Sequence, residues 1–465
     1  MLTESATLPG NTDIMKIASE SHAVGMALLQ VGKTREAAMQ FRQALDIAPD
    51  FSDASISLGY CLHQLGKYDE AIAVYETALD NTPTLMAAWN NRGNSLLKLC
   101  RYEQAAESYC RALQLAPGLL DARVALATCC QALGLINEAM SACEDVLNAD
   151  SEHAEAHWNK ALLLLLNGDY RQGWREYEWR WQKRDFTSPL RNFVQPLWHG
   201  DAIAGRTILI HAEQGFGDTL QFCRYVPQVA GLGAQVIFEC HPPLTPVMEW
   251  LEGDVTVIPA GQALPPFDLH VPLLSLPLIF DTAVETIPNG VPYLSTPPGR
   301  LSSWCTLAAG ESRLRVGLCW AGKSYPDPGR SCPADQLVPL ADVAGVDFHS
   351  LQVGWNGPLP LPMTDHMPHV HDFGDTAALI SRLDLVITID TAVAHLAGAM
   401  GKPTWVMLPF APDWRWMRGR NDSPWYPSMR LFRQHSRGSW RDVVQQVGSS
   451  LQNEVSGSPL CRDVK

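Results

Sequence analysis

One pattern of apolar and polar positions recurs every 34 residues through the first part of the chain. Gly32, Gly66, Cys100, Gly134 and Gly168 stand 34 apart, as do Ala37, Ala71, Ala105, Ala139 and Gly173. Four residues further on come Phe41, Tyr75, Tyr109, Cys143 and Tyr177, and Pro49, Pro83 and Pro117 close the first three units. Small residues at 25, 59 and 93 and at 37, 71 and 105 let paired helices approach closely, and the aromatic side chain four residues later is expected to fill the next groove. The proline cannot continue a helical hydrogen-bond ladder, so it ends the second helix of each unit. After Pro189, Pro196 and the turn WHGD the texture changes. Short apolar runs now alternate with helical stretches: TILI (207–210), QVIFEC (235–240), VTVI (255–258) and FDLHVPLLSLP. A second series follows with RVGLCWAG (315–322), VDFHSLQVG (346–354), LDLVITID (383–390) and PTWVMLP (403–409). This is βαβ organisation with parallel sheets.

The 34-residue unit resembles the tetratricopeptide repeat, a helix–turn–helix of this length and pattern. One unit cannot bury its own apolar face, so five copies over 18–186 are expected to stack as an α-solenoid. The fifth copy, with WREYEWRWQ at 174–182, reads as a cap docking on the second half. Such arrays offer a concave surface for a protein or peptide partner; the alternative is a scaffold without a specific ligand. Residues 1–17 are expected to be a flexible N-terminus and 187–205 a linker. Two Rossmann-like domains follow, 206–298 and 299–448, then a tail over 449–465. The proline- and glycine-rich PNGVPYLSTPPG (288–299) marks the crossing between the two domains.

Composition narrows the function classes. The chain has 465 residues and a formal net charge of −14, which argues against nucleic acid, because phosphate binding needs clustered Lys and Arg. The longest apolar run, ALLLLL at 161–166, is far short of a membrane span of roughly 18 residues or more. The N-terminus MLTESATLPGNTD has no basic and apolar leader pattern, so a cytoplasmic protein is expected. Twelve cysteines are scattered without a C-x-x-C pair and read as reduced thiols, with no metal site among them.

Two stretches carry candidate chemistry. HAEQGFGD (211–218) follows the buried strand TILI. There Gly215 and Gly217 are expected to turn the backbone tightly and make room for a substrate, leaving Asp218 at the mouth of a helix. Asp218 can cap that helix, or take a proton from an acceptor. LVITIDTAVAHLAGAMGKP (385–403) places Asp390 at a strand end, Thr391 as the cap of the next helix, and His395 one turn on, on the same face. The first-turn amides there suit a diphosphate. The plainer reading is an ordinary cap and a core histidine.

IDTAVAHLAGAMGKP resembles the donor-site motif of heptosyltransferase-type glycosyltransferases, which have the two-domain GT-B fold. The resemblance covers about 205–445, with one motif in each Rossmann-like domain. It implies an acceptor-side domain over 206–298 and a nucleotide-sugar-binding domain over 299–448. It also implies that Asp218 is the base and that Asp390, Thr391 and His395 bind the donor. Lys323, with Arg330 nearby in WAGKSYPDPGR, is the candidate phosphate-binding lysine. The order of repeats then catalytic half is similar to that of protein O-linked N-acetylglucosamine transferases, and the whole resembles bacterial repeat-plus-glycosyltransferase proteins. No D-x-D pair occurs in the chain, so inverting, metal-independent transfer is expected, with a nucleotide sugar as co-substrate and no cofactor. Two alternatives stand beside it: a scaffold with an inactive transferase-like half, and a dinucleotide oxidoreductase. The latter would use Gly215 and Gly217 with Glu239, although Leu220 replaces the third glycine. Between 409 and 434, Trp414, Trp416, Trp425 and Tyr426 mix with Arg415, Arg418 and Arg420. That segment is expected to loop over the cleft, its tryptophans packing the C-terminal helix and one arginine serving a phosphate.

Overall fold

A computed structural model describes residues 11–307, 313–323 and 327–457. The chain divides into two compact units between residues 160 and 161. In the first, helices pair in sequence: α1 (Asn11–Gln30) with α2 (Thr34–Ile47), α3 (Ser52–Gln64) with α4 (Tyr68–Asn81), α5 (Met86–Lys98) with α6 (Tyr102–Leu115), and α7 (Leu120–Ala132) with α8 (Ile136–Ala149). The periodic positions play distinct parts. Gly32, Gly66, Cys100 and Gly134 all have positive φ, the conformation that ends one helix so that the next can fold back. Phe41, Tyr75 and Tyr109 lie against Gly25, Gly59 and Gly93, where a Cβ would stand 2.6, 2.5 and 2.8 Å from the ring. Any larger residue there would force the paired helices apart. The aromatic ring thus packs on the first helix of its own unit.

Three expected boundaries move, the third at the C-terminal helix described below. Helix α1 begins at Asn11, so residues 11–17 are helical rather than flexible, because Ile14 packs on the alanine cluster of Ala18, Ala44, Ala48 and Ala54. The fifth repeat also does not end its unit at 186. Helix α9 (Ala154–Asn167) spans the division, and α10 (Tyr170–Tyr177) packs wholly within the second unit. The cause is aromatic burial: Trp174 meets Phe222, Trp414 and Trp425 at ring distances of 6.1, 5.3 and 6.5 Å.

The second unit holds two parallel sheets. The first has the order β3-β2-β1-β4, from β1 (Thr207–His211), β2 (Gln235–Cys240), β3 (Val255–Pro259) and β4 (Leu269–Pro272). Helix α11 (Phe216–Phe222) follows β1, and α12 (Val226–Gly231), α13 (Thr245–Met248) and α14 (Leu276–Ile279) are short. The second sheet has the order β10-β9-β8-β5-β6-β7. Its strands are β5 (Leu314–Cys319), β6 (Val346–Ser350), β7 (Thr364–Asp365), β8 (Leu385–Ile389), β9 (Thr404–Leu408) and β10 (Met429–Arg433). Helices α15 (Phe373–Arg382), α16 (Ala392–Ala399) and α17 (Trp440–Gly457) accompany it. Both sheets are Rossmann-like. Helix α17 runs past 448, so 449–457 are helix rather than tail, held by Leu451 in one core with Trp440, Val443, Val444 and Val447. No helix among the described residues is long and apolar enough to cross a membrane.

Candidate functional site

Ligands in open parallel sheets bind at the carboxyl ends of strands where strand order reverses. Here β1 lies between β2 and β4, and β5 between β6 and β8. The candidate residues stand at these ends: Asp218 after β1, Lys323 and Arg330 after β5, and Asp390, Thr391 and His395 after β8.

The turn after β1 is not made by its glycines. Gln214 carries the positive φ, 61°, while Gly215 has an extended φ of −102° at the mouth of α11. Asp218 sits in the first turn and accepts from the Gly215 N–H at 2.8 Å, as a cap. Gly217 is needed for contact rather than for turning. A Cβ on it would lie 2.9 Å from His395 Cδ2, so the glycine lets α11 and α16 touch.

Thr391 does not cap α16 with its side chain. Its hydroxyl instead hydrogen-bonds with that of Thr388 at 3.2 Å, because the two hydroxyls converge where β8 ends. His395 does not open onto a cleft either; it is 4 % exposed. Its Nδ1 hydrogen-bonds with the Tyr426 hydroxyl at 2.9 Å, its ring stacks on Trp416 at 5.5 Å, and Nε2 faces Asp390 Oδ1 at 3.8 Å. Burial, aided by Arg415 and Arg224, holds the imidazole well below its usual pKa, so it is neutral. Burial and the neighbouring Asp413 push the Asp390 carboxyl up to about 6, against Trp416, Arg415 and Arg330.

A raised folded-state pKa means that stability from this carboxyl is complete below the ordinary carboxylate range and is lost as pH rises through about 6. Asp390→Asn is therefore expected to raise thermal stability at pH 8, by about 1–3 kcal/mol, and to leave it unchanged at pH 4. Melting curves at the two pH values check this; equal shifts at both would show that the carboxyl charge is not the source.

Arg415, just after β9, joins the two sheets' elements. Its Nη2 contacts Asp218 Oδ1, Nε donates to Gln221 Oε1 at 2.7 Å, and Nη1 to Asp413 Oδ1 at 2.9 Å. Arg224 crosses the other way, from beside α11 to the Trp425 carbonyl at 2.8 Å and the Tyr293 hydroxyl at 2.8 Å. The tryptophans of this segment are buried, and Trp414 and Trp425 pack on α10 rather than on the C-terminal helix α17. The reason is chemical: Tyr170 of α10 offers both a ring and the hydroxyl that accepts from the Trp425 indole at 3.0 Å.

Lys323 is exposed, and its charge reaches His241, which burial and that lysine hold below the usual histidine range. His241 hydrogen-bonds with Thr219 of α11 at 3.1 Å. The β5 loop is shaped by Gln352, whose Oε1 accepts from the N–H groups of Trp320 and Ala321 at 2.9 and 2.7 Å. Arg330 donates to the Lys323 carbonyl at 3.1 Å, while its buried Nε has no partner among the described residues. Arg415 thus contacts Asp218 and its charge reaches Asp390 and His395, that of Arg330 reaches Asp390, and that of Lys323 reaches His241. Glu239, the carboxylate a dinucleotide reading needs, is taken by Arg191 at 2.7 Å.

Sequence reasoning missed Asp413, Gln221 and His241, and left open which arginine of 415–420 mattered. No motif in the chain marks those residues, although one further repeat, around Asp218, stood in view. Phe-Gly-Asp-Thr occurs at 216–219 and again at 373–376. Both copies open a helix with the aspartate in its first turn, and Phe216 and Phe373 meet at 5.4 Å. The second aspartate, Asp375, is tied by Arg300 at 2.8 Å as Asp218 is by Arg415.

Residues 23–85 and 87–119 match the tetratricopeptide repeat, and 371–407 match glycosyltransferase family 9 (heptosyltransferase). The latter match spans α15, β8, α16 and most of β9. Protein FlbA of Caulobacter vibrioides is 27 % identical over 356 residues, covering 69 % of this chain and 59 % of that protein, so the chain spans less than two thirds of that relative. Among solved structures, MamA from Desulfovibrio magneticus RS-1 is 18 % identical, covering 36 % of this chain and 97 % of its own, with a TM-score of 0.34. YrrB, a repeat protein described with an unusual peptide-binding site, is 22 % identical, covering 36 % of this chain and 88 % of its own, at a TM-score of 0.31. The family matches thus place tetratricopeptide repeats over 23–119 and a similarity to glycosyltransferase family 9 over 371–407.

Proposed function

We propose that the second unit transfers a sugar from a nucleoside-diphosphate donor to an acceptor hydroxyl, with inversion and without a metal. The observation that carries this reading is Arg415, which contacts Asp218 after the first strand of the first sheet while its charge reaches Asp390 at a strand end of the second. Asp218 is the base: it takes the hydroxyl proton as the acceptor oxygen bonds to the anomeric carbon and the bond to the diphosphate breaks. Lys323, Arg330 and the first turn of α16 offset the charge that gathers on the leaving diphosphate. Two cationic side chains, with no D-x-D pair in the chain, support doing this without a metal clamp. Asp390 and Thr391 line the donor corner, and buried His395 acts on the donor through Asp390. The family 9 match at 371–407 supports the donor assignment. The repeats recruit a protein or peptide acceptor, consistent with the repeat matches at 23–119.

A thermal-shift screen with UDP, GDP, ADP, CMP and NAD tests the donor site. One nucleoside diphosphate is expected to stabilise the protein, by about 2.7 kcal/mol at a hundred times its dissociation constant. Lys323→Ala should weaken that shift without lowering the melting point of the free protein. Stabilisation by NAD alone, or by none of the five, overturns the reading.

A further inference from the structure

The loop that carries Asp218 is anchored residue by residue, and mostly from outside the sheet it belongs to. Ala212 donates to the Glu239 carbonyl of β2 at 2.8 Å. The next two residues are held by the stretch that closes the fifth repeat. Glu213, 3 % exposed, is gripped by Arg180, which donates through Nε to Oε2 at 2.9 Å and through Nη2 to Oε1 at 2.8 Å. Arg180 is itself fully buried and also binds Glu178 at 2.7 Å and Ser275 at 2.8 Å. Gln214 holds its left-handed φ of 61°, costly for a residue with a Cβ. Its side-chain amide donates to the Tyr177 hydroxyl at 2.8 Å and its backbone N–H to Ser188 at 2.7 Å. Gly215 then caps onto Asp218. The charges of Arg415 and Asp218 both reach the buried Tyr177 hydroxyl, so the brace ends close to the candidate base.

We propose that Tyr177 and Arg180, at the close of the fifth repeat, are positioning residues that fix the loop 212–217 and thereby the direction in which Asp218 points. A buried, bidentate, multiply bonded arginine and a strained non-glycine turn are expected where a conformation must be over-determined. The geometry makes the last repeat part of the catalytic apparatus, although neither residue touches the reacting atoms. The consequence for transfer rests on reading Asp218 as the base; the consequence for the loop does not.

The test uses the full chain and two variants. Tyr177→Phe removes one hydroxyl. The double variant Arg180→Met, Glu213→Met replaces the buried ion pair by apolar side chains, an exchange that cores commonly tolerate. Amide hydrogen exchange over 212–218 is read beside the melting point, and release of nucleoside diphosphate is followed with UDP-, GDP- and ADP-glucose. In both variants loop exchange should quicken about tenfold with a near-unchanged melting point, and kcat should fall about ten- to a hundredfold with KM for the donor unchanged. If the pair only fills space, the double variant keeps wild-type loop protection and turnover, and the proposal fails. Loop exchange unchanged in both variants overturns it whatever the turnover. Quickened exchange together with no turnover of any sugar nucleotide by the wild type sinks the transfer reading and leaves the brace standing.

Discussion

Arg415→Met is expected to cost about 3–5 kcal/mol of stability and to lower turnover by at least about a hundredfold. Arg415 is 8 % exposed as a residue, and its guanidinium meets Asp218, Gln221 and Asp413 together. Removing it leaves the Asp218 and Asp413 carboxylates without this partner, and the charge of Asp413 already bears on Asp390. An exposed pair such as Arg101–Asp69, with side chains 46 % and 70 % accessible, contributes little because water screens it. Arg415–Asp218, at 10 % and 17 %, has no such screening. Denaturant unfolding of the variant measures the loss. A midpoint equal to that of the wild type would mean that the three contacts are worth no more than a surface pair. Arg415→Lys should recover part of the stability and little of the turnover, since an ammonium cannot reproduce three directed bonds.

Asp218→Asn removes the candidate base together with the charge that Arg415 meets, so its stability is measured beside its turnover. The asparagine oxygen can still accept from Gly215, so α11 keeps its first turn, but no carboxylate remains to take a proton. Transfer is expected to fall about 10²–10⁴-fold, with nucleoside-diphosphate binding retained. Asp375→Asn is the matched control. It stands at the same helical position in the second Phe-Gly-Asp-Thr, is 4 % exposed and is tied to Arg300. It should lower stability without a selective effect on kcat. Comparable kcat losses in both variants would move the base away from Asp218.

Much of this architecture could be read along the chain. The 34-residue period announced paired helices because each position serves one local purpose, with glycine making a left-handed turn, a second glycine lying beneath a ring, and proline following a helix. The strands TILI, QVIFEC and LVITI could be read because a parallel strand covered on both faces is almost wholly apolar over five or six residues. Asp218, Asp390 and Arg330 could be found as residues at strand ends. Their partners could not. Asp218 and Arg415 are 197 positions apart, and Gln221 and Arg415 are 194 apart, with no spacing rule connecting them. Thr391 looked like a helix cap because its position is right, but the side chain's direction depends on Thr388 beside it in the fold. The glycines after β1 looked like the turn, whereas Gln214 takes that conformation because Tyr177 and Ser188 hold it.

The sequence by itself determined the repeat, the two parallel sheets and the short stretches that carry charged residues to strand ends. These depend on φ/ψ preference and on apolar periodicity, which act over a few neighbouring residues. Tertiary structure alone decided that the fifth repeat divides at 160–161 and that His395 is buried rather than open to a ligand. It alone decided that Arg180 and Arg415 each close on a carboxylate from another element. Those outcomes follow from which apolar faces find one another: once Trp174, Trp414 and Trp425 pack together, the charged groups beside them are carried out of water and must pair where they stand.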